Sequence, residues 1–101
     1  MYFLSDYFNR KPRDVTVFEG ETVELKCEVV EENMTSKWLR GEVQMIQSCK
    51  TFLTMTGKLH QLTIQHAEMS DEGQYTVDVN GRKRSSFLQV KGEMLIKIGF
   101  F

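Results

Sequence analysis

The chain has 101 residues, enough for one domain with a hydrophobic core of its own. Hydrophobic residues make up 41% and charged residues 27%, an ordinary globular balance that excludes intrinsic disorder and collagen-like repeats. Thirteen basic and fourteen acidic residues give a net charge of −1, so the chain lacks the basic excess typical of nucleic-acid binding.

Strands are predicted wherever apolar and polar residues alternate along the chain. The alternation runs over residues 23–29, 59–64, 75–79 and 86–90, and in the last of these it directs Phe87 outward. One apolar and one polar face per strand are typical of an antiparallel sheet that is exposed to water on one side. The pattern therefore predicts an all-β domain.

Turn signals separate the predicted strands. Asn80-Gly81 lies between two alternating segments and predicts a type I′ hairpin, which requires positive φ at both central residues. Residues 66–73 are polar and predict a corner with at most one helical turn. Many short strands with regular turns favour a sandwich or a barrel.

A set of spaced residues resembles the immunoglobulin domains of the intermediate type, the I-set. The set consists of Cys27, Trp38, Leu62, Ile64, Asp71, Gly73 and Tyr75. The surrounding sequence resembles domains of the titin, obscurin and myosin-binding protein C group over about residues 8–92. This resemblance implies an immunoglobulin-like Greek-key β-sandwich.

The resemblance assigns structural roles in the core rather than catalytic ones. Trp38 is expected to fill the space between the sheets, and the Tyr75 hydroxyl to bond back to the main chain near residues 70–71. Gly73 is expected where a side chain would crowd the passing strand. Asp71 is expected to cap the chain locally or to pair with a nearby base such as Lys50. The predicted core set is Cys27, Trp38, Leu62, Ile64, Asp71, Gly73, Tyr75 and Val77.

The chain departs from the family at the disulfide between the sheets. Val77 stands where the second cysteine belongs, so Cys27 has no counterpart on the facing strand. In the strand order that the resemblance implies, Cys49 falls at the start of a strand two places from that of Cys27, about 9–10 Å away. That is beyond the roughly 7 Å that a disulfide tolerates between Cα atoms. We therefore expect two free thiols, which suits a reducing cytosol.

No arrangement of residues predicts catalysis or a cofactor. The two histidines, His60 and His66, form no zinc-ligand spacing with the two cysteines, and His60 alternates with Leu62 as a satisfied strand residue would. No phosphate-binding loop or nucleophile elbow is present. The sequence predicts a protein that is not an enzyme.

A candidate partner-binding site follows the Asn80-Gly81 turn. Arg82, Lys83 and Arg84 would form a basic hairpin tip, with Phe87 exposed beside them. The alternative is a solvated turn whose charges discourage edge pairing. The partner predicted by the first interpretation is another protein, sarcomeric or cytoskeletal.

The resemblance implies one domain of a multidomain, cytoplasmic muscle protein. This domain is expected to act as a spacer and as a protein-binding module. We expect linker or vector-derived residues at 1–7, the domain at 8–92 and a tail or linker at 93–101. The domain is expected to be monomeric within a tandem array and to bind neither membrane nor nucleic acid.

Two other functions remain open. The Asn33-Met34-Thr35 triplet is an N-glycosylation acceptor, which favours an extracellular adhesion or receptor domain. Related giant proteins also carry regulatory immunoglobulin domains beside a kinase or an exchange factor.

Overall fold

Residues 7–92, which the computed structural model describes, form nine strands in two sheets and one short 3-10 helix. The predictions for residues 1–6 and for the tail at 93–101 lie outside this range. Within it, no helix is long and apolar enough to cross a membrane. The strands are β1 (Phe8–Arg10), β2 (Val15–Phe18), β3 (Val23–Val29), β4 (Ser36–Arg40), β5 (Val43–Gln44), β6 (Thr51–Thr56), β7 (Leu59–Ile64), β8 (Gly73–Val79) and β9 (Arg82–Lys91).

The two sheets pack face to face as an immunoglobulin-like sandwich, which confirms the predicted fold class. One sheet has the order β1-β3-β7-β6 and the other the order β2-β9-β8-β4-β5. Within residues 7–92 the strand pairs are antiparallel except β2 with β9, which run parallel with Val15 opposite Leu88 and Phe18 opposite Lys91.

The core is built by the alternation that the sequence predicts. Every second residue is buried in β3, in β7, in β8 from Tyr75 and in β9 from Ser86. Trp38, from β4, is 2% exposed between the sheets. Asp78 is the exception, because the pattern directs it to solvent and yet it is buried. Its Oδ1 accepts the Gly81 N–H at 2.8 Å, which turns the carboxylate back over the hairpin.

Two local predictions about turns are confirmed. Asn80 and Gly81 have φ of 51° and 90°, as a type I′ turn requires. The polar corner contains a single 3-10 turn, Met69–Asp71. The Tyr75 hydroxyl donates to the Asp71 carbonyl at 2.5 Å, so the side chain fixes the corner to the start of β8.

Charged side chains hold this corner from two directions. Lys50 Nζ lies 3.0 Å from Asp71 Oδ2, the ion pair that the sequence suggests. Arg40 Nη2 donates to the main-chain carbonyls of Ser70 and Glu72, both at 2.7 Å. A side chain at position 73 would therefore crowd the Arg40 guanidinium, since a Cβ on Gly73 would lie 3.3 Å from Nη2.

Both cysteines are free thiols, as predicted. Cys27 is buried in the core between the two sheets, and desolvation raises the pKa of its thiol to about 11. A thiol that stays protonated is a poor nucleophile, so Cys27 acts as a small apolar core residue. Val77, in the place of the second cysteine, is fully buried.

His60 connects the two sheets through a buried hydrogen bond. The side chain is fully buried on β7, and its Nδ1 lies 2.6 Å from Ser36 Oγ on β4. Its Nε2 has no hydrogen-bond partner among residues 7–92. The expectation of a satisfied histidine is therefore wrong for one of its two ring nitrogens.

We predict that acid destabilises the domain through His60. Burial lowers the pKa of His60 below its ordinary 6.5, so the unfolded chain takes up the proton first as the pH falls. The contribution of neutral, buried His60 to the free energy of unfolding is complete above pH 6.5. Below that pH it is lost by at most about 1.4 kcal/mol per pH unit. Urea denaturation at pH 7.5, 6.5 and 5.5 measures this loss.

The variant His60→Leu is the control for this prediction, because it removes the titrating ring and keeps His66 and every carboxylate. The difference in unfolding free energy between the two proteins should change with pH below 6.5. Parallel curves for both proteins over the whole range would contradict the prediction.

Candidate partner-binding face

The alternation of β9 places the basic triplet on both sides of the sheet. Arg82 and Arg84 lie in register with the buried Ser86 and Leu88, whereas Lys83 lies in register with the exposed Phe87. The triplet is therefore not one continuous basic patch, although its three residues are consecutive in the sequence.

The two arginines contact the first strand. The Arg82 guanidinium carbon lies 5.9 Å from the centroid of the Tyr7 ring, and that of Arg84 lies 5.4 Å from the Phe8 centroid. These are cation–π distances. Arg84 Nη1 also donates to the Lys83 carbonyl at 2.8 Å. Of the triplet, Lys83 is the residue that the outer surface presents.

Lys83 and Phe87 belong to an outer surface that we call the β8–β9 face, formed by Gln74, Thr76, Lys83, Ser85 and Phe87. Residues opposite each other on paired strands share a face, and here Phe87 lies opposite Gln74 and Ser85 opposite Thr76. The hydroxyls of Ser85 and Thr76 are 2.9 Å apart. Apart from Lys83 these five residues are uncharged. Asp78 lies opposite Lys83 and turns its carboxylate to the Gly81 N–H.

Phe87 gives this face an apolar centre. Its side chain is 45% exposed, and its N–H donates to Asp14 Oδ1 at 2.8 Å, which fixes the main chain at that point. Beyond it, β2 pairs only with Leu88–Lys91, so no strand in the described range covers Arg82–Ser86 on the side away from β8. Phe87 thus lies next to an unpaired stretch of the β9 edge, and Lys83 lies near the other end of that stretch.

The remaining predicted site residues occupy the core or the corner. Cys27, Leu62, Ile64, Tyr75 and Val77 are each 2% exposed or less. Trp38 shares that core, and Asp71 and Gly73 are half-buried at the corner. Within residues 7–92, no three His, Cys, Asp or Glu side chains are grouped so that they could hold a metal ion.

Sequence reasoning missed Arg40, the cation that joins β4 to the corner. Its position beside Gly41 is typical of a solvated turn, and its two carbonyl acceptors lie about thirty residues further along the chain. The division of the triplet, in contrast, could have been read from the sequence, because even-numbered residues of β9 face the core from Ser86 onward.

Comparisons with known proteins give relatives from muscle. The chain is 34% identical over 89 residues to fast-type myosin-binding protein C of Gallus gallus, a match that covers 83% of this chain and 8% of that protein. It is 33% identical over 88 residues to the cardiac type of Mus musculus, covering 85% of this chain and 7% of that protein. The chain thus spans a small part of these relatives.

Solved structures with the same architecture include several from titin. The crystal structure of the I9–I11 tandem of titin superposes with a TM-score of 0.83 at 32% identity, covering 84% of this chain and 32% of that one. The complex of titin M10 with the obscurin-like 1 immunoglobulin domain gives 0.80 at 27% identity, covering 85% and 93%.

The family follows from the extent of the sequence match. The family model described as the immunoglobulin I-set domain matches residues 6–91, which include every strand of the sandwich. Trp38 between the sheets and the Tyr75 corner lie where that fold requires them. The chain belongs to the immunoglobulin I-set domain family.

Proposed function

We propose that this domain is a non-enzymatic module of a multidomain, cytoplasmic muscle protein, serving in the sarcomere as a spacer and as a binding site for another protein. The observation that carries the proposal is the 34% identity to a domain-sized part of myosin-binding protein C. In this proposal residues 8–92 are the domain, and residues 1–7 and 93–101 are its connections.

The pairing of β2 with β9 supports the role as a spacer. β9 is the last strand of the domain, and β2 is the second, after the three-residue β1. Because β2 and β9 run parallel, tension that reaches β2 past β1 slides one strand along the other. The hydrogen bonds from Val15 to Phe18 are then loaded together, whereas in a peeled hairpin they would break one at a time. A bond from Glu19 N–H to the Lys91 carbonyl at 2.9 Å extends this contact.

The β8–β9 face supports the role in binding. A partly exposed aromatic among hydroxyl and amide side chains, with Lys83 and Asp78 only at one margin, is the composition of an interface centre, where charged residues are depleted. Lys83 at the margin would attract an acidic partner. The titin M10 complex with the obscurin-like domain is a precedent in a similar fold for contact between immunoglobulin domains.

We predict that the variant Lys83→Glu/Phe87→Ser captures about tenfold less sarcomeric partner than the natural domain, because an aromatic anchor contributes roughly 1–2 kcal/mol to such an interface. The measurement is cross-linked capture from striated-muscle extract followed by mass spectrometry. Reversing Arg82 and Arg84 as well would disturb their contacts with Tyr7 and Phe8, so these arginines are left unchanged.

The control is Lys58→Glu/Leu59→Ser on the other sheet, the same two changes at a leucine that is 43% exposed. Both variants are expected to melt within a few degrees of the natural domain. Equal capture by both variants would discard the β8–β9 face as the binding site, and capture of no muscle protein by the natural domain would discard the sarcomeric proposal.

An extracellular domain is the second candidate, favoured by one observation. Asn33 and Thr35 are exposed in the loop between β3 and β4, so a glycan on Asn33 would meet no steric obstacle from the fold. Mass spectrometry of the natural protein decides between the two. The third candidate is a regulatory domain beside a kinase. The chain is similar to part of the twitchin kinase region of C. elegans, at 27% identity and a TM-score of 0.78, covering 83% of this chain and 16% of that one.

A further inference from the structure

The four strands at the sheet edges differ in how they are protected. Among the described residues, β1 is three residues long with an irregular register and β5 has only two residues. On β2, the Phe18 N–H that faces away from the sheet is bonded to the Glu21 carboxylate at 2.8 Å. Short strands, bulges and nearby charges are the usual means by which proteins prevent edge pairing.

The edge strand β6 has none of these protections along its own length. Its six residues, Thr51–Thr56, pair with β7 in an uninterrupted register and include no charged residue and no proline. Met55 is 55% exposed. An uncharged, regular, exposed edge is a template for another strand.

Part of this edge is covered by the preceding loop. Ser48 N–H donates to the Thr51 carbonyl at 2.8 Å, and the Gln47 side-chain oxygen accepts the Leu53 N–H at 3.0 Å. Alternate residues of a strand direct both main-chain polar groups to the same side, so Met55 also faces outward. The Leu53 carbonyl and both main-chain groups of Met55 have no partner within residues 7–92.

We propose that β6 pairs in antiparallel orientation with β6 of a second copy of this chain, about a two-fold axis at Thr54. In this register the Leu53 carbonyl accepts the Met55 N–H of the second copy, and the reverse bond forms by symmetry. The Gln47 side-chain oxygen occupies the position that the Met55 carbonyl of the second copy takes in this register, so Gln47 withdraws when the copies pair. The Leu53 N–H then donates to that carbonyl, and symmetry brings the number of main-chain bonds to four. Gln47 therefore competes with the second copy for the edge of β6.

The side chains favour a second copy as the occupant. The two Thr54 residues would lie opposite each other, and each Leu53 would lie opposite an exposed Met55. No charges oppose one another, since β6 carries none. Displacing Gln47 from the Leu53 N–H weakens the contact, so pairing requires copies at high local concentration. The monomer expected from the sequence is then the form at low protein concentration. The partner of β6 is a second copy of this chain, whereas the partner proposed for the β8–β9 face is another protein.

Sedimentation equilibrium over a range of protein concentrations tests this proposal. The natural domain is expected to form a weak dimer, and Gln47→Ala to tighten it about tenfold by freeing the Leu53 donor. Met55→Lys is expected to abolish the dimer, because the two lysines would repel each other across the axis at Thr54. Val43→Lys, at an exposed residue of β5, is the matched control and should associate like the natural domain.

Hydrogen exchange in the dimer should slow at the Met55 amide and leave the Lys83 amide unchanged. Thermal melting of each variant establishes that it is folded. A dimer that survives Met55→Lys overturns the proposal, and so does a chain that stays monomeric at every concentration both as the natural domain and as Gln47→Ala.

Discussion

Replacing Trp38 with alanine is expected to lower the free energy of unfolding by about 3–5 kcal/mol, the usual cost of truncating a buried large aromatic residue. Trp38 is 2% exposed and lies opposite Val77 in the register of β4 with β8. No disulfide bridges the sheets here, so the unfolded chain is not restrained by a crosslink. Urea denaturation followed by circular dichroism at 222 nm and 25 °C would measure the loss.

The control for this prediction is Trp38→Phe, which keeps an aromatic ring between the sheets and leaves a smaller cavity. We expect its cost to be well below that of Trp38→Ala. A domain is typically stable by only 5–15 kcal/mol, so the alanine variant should be partly unfolded near body temperature. Equal costs for the two variants would show that the site collapses around any side chain.

Replacing Arg40 with methionine is expected to cost about 2–3 kcal/mol, because two charge-assisted hydrogen bonds and a cation–π contact are lost together. The bonds join Nη2 to the Ser70 and Glu72 carbonyls, and the guanidinium carbon lies 5.4 Å from the centroid of the Tyr75 ring. Methionine keeps much of the apolar stem, so the comparison isolates the charged head. Urea denaturation again provides the measurement.

A double-mutant cycle with Gly73→Ala serves as the control for Arg40. Alanine at position 73 would place its Cβ against the guanidinium and would also strain a backbone with φ of 154°. Because steric conflict with Arg40 is absent in the methionine variant, Gly73→Ala should cost less in that background. Strictly additive costs would mean that Gly73 is required for its backbone conformation alone.

The strands and the corner could be predicted because their determinants are local. Alternation in β3 and β9, positive φ at Asn80-Gly81 and the spacing of Gly73 from Tyr75 are each set within a few residues of sequence. The family resemblance then ordered these pieces into two sheets. The predicted absence of a disulfide followed from Val77 in the same way.

Side-chain roles that depend on distant neighbours could not be predicted. Arg40 finds its acceptors only after β8 has docked beside β4, and Ser36 meets His60 across the space between the sheets. Asp78 appeared solvated because the alternation ignores the hairpin amide that binds its carboxylate. The contact of Gln47 with the Leu53 N–H could not be predicted either, because nothing local in the sequence shows where the loop crosses the edge of β6.

The parallel contact between β2 and β9 also governs when the domain can fold during synthesis. Thr16 pairs with Gln89, 73 positions later, so β2 has no sheet partner until the last strand exists. A ribosome adds about 5–20 residues per second, and its exit tunnel delays the emergence of β9 further. The finished sandwich therefore closes only after its own C-terminal strand has emerged. In a tandem array, every domain would complete its sheet while its successor is already being translated.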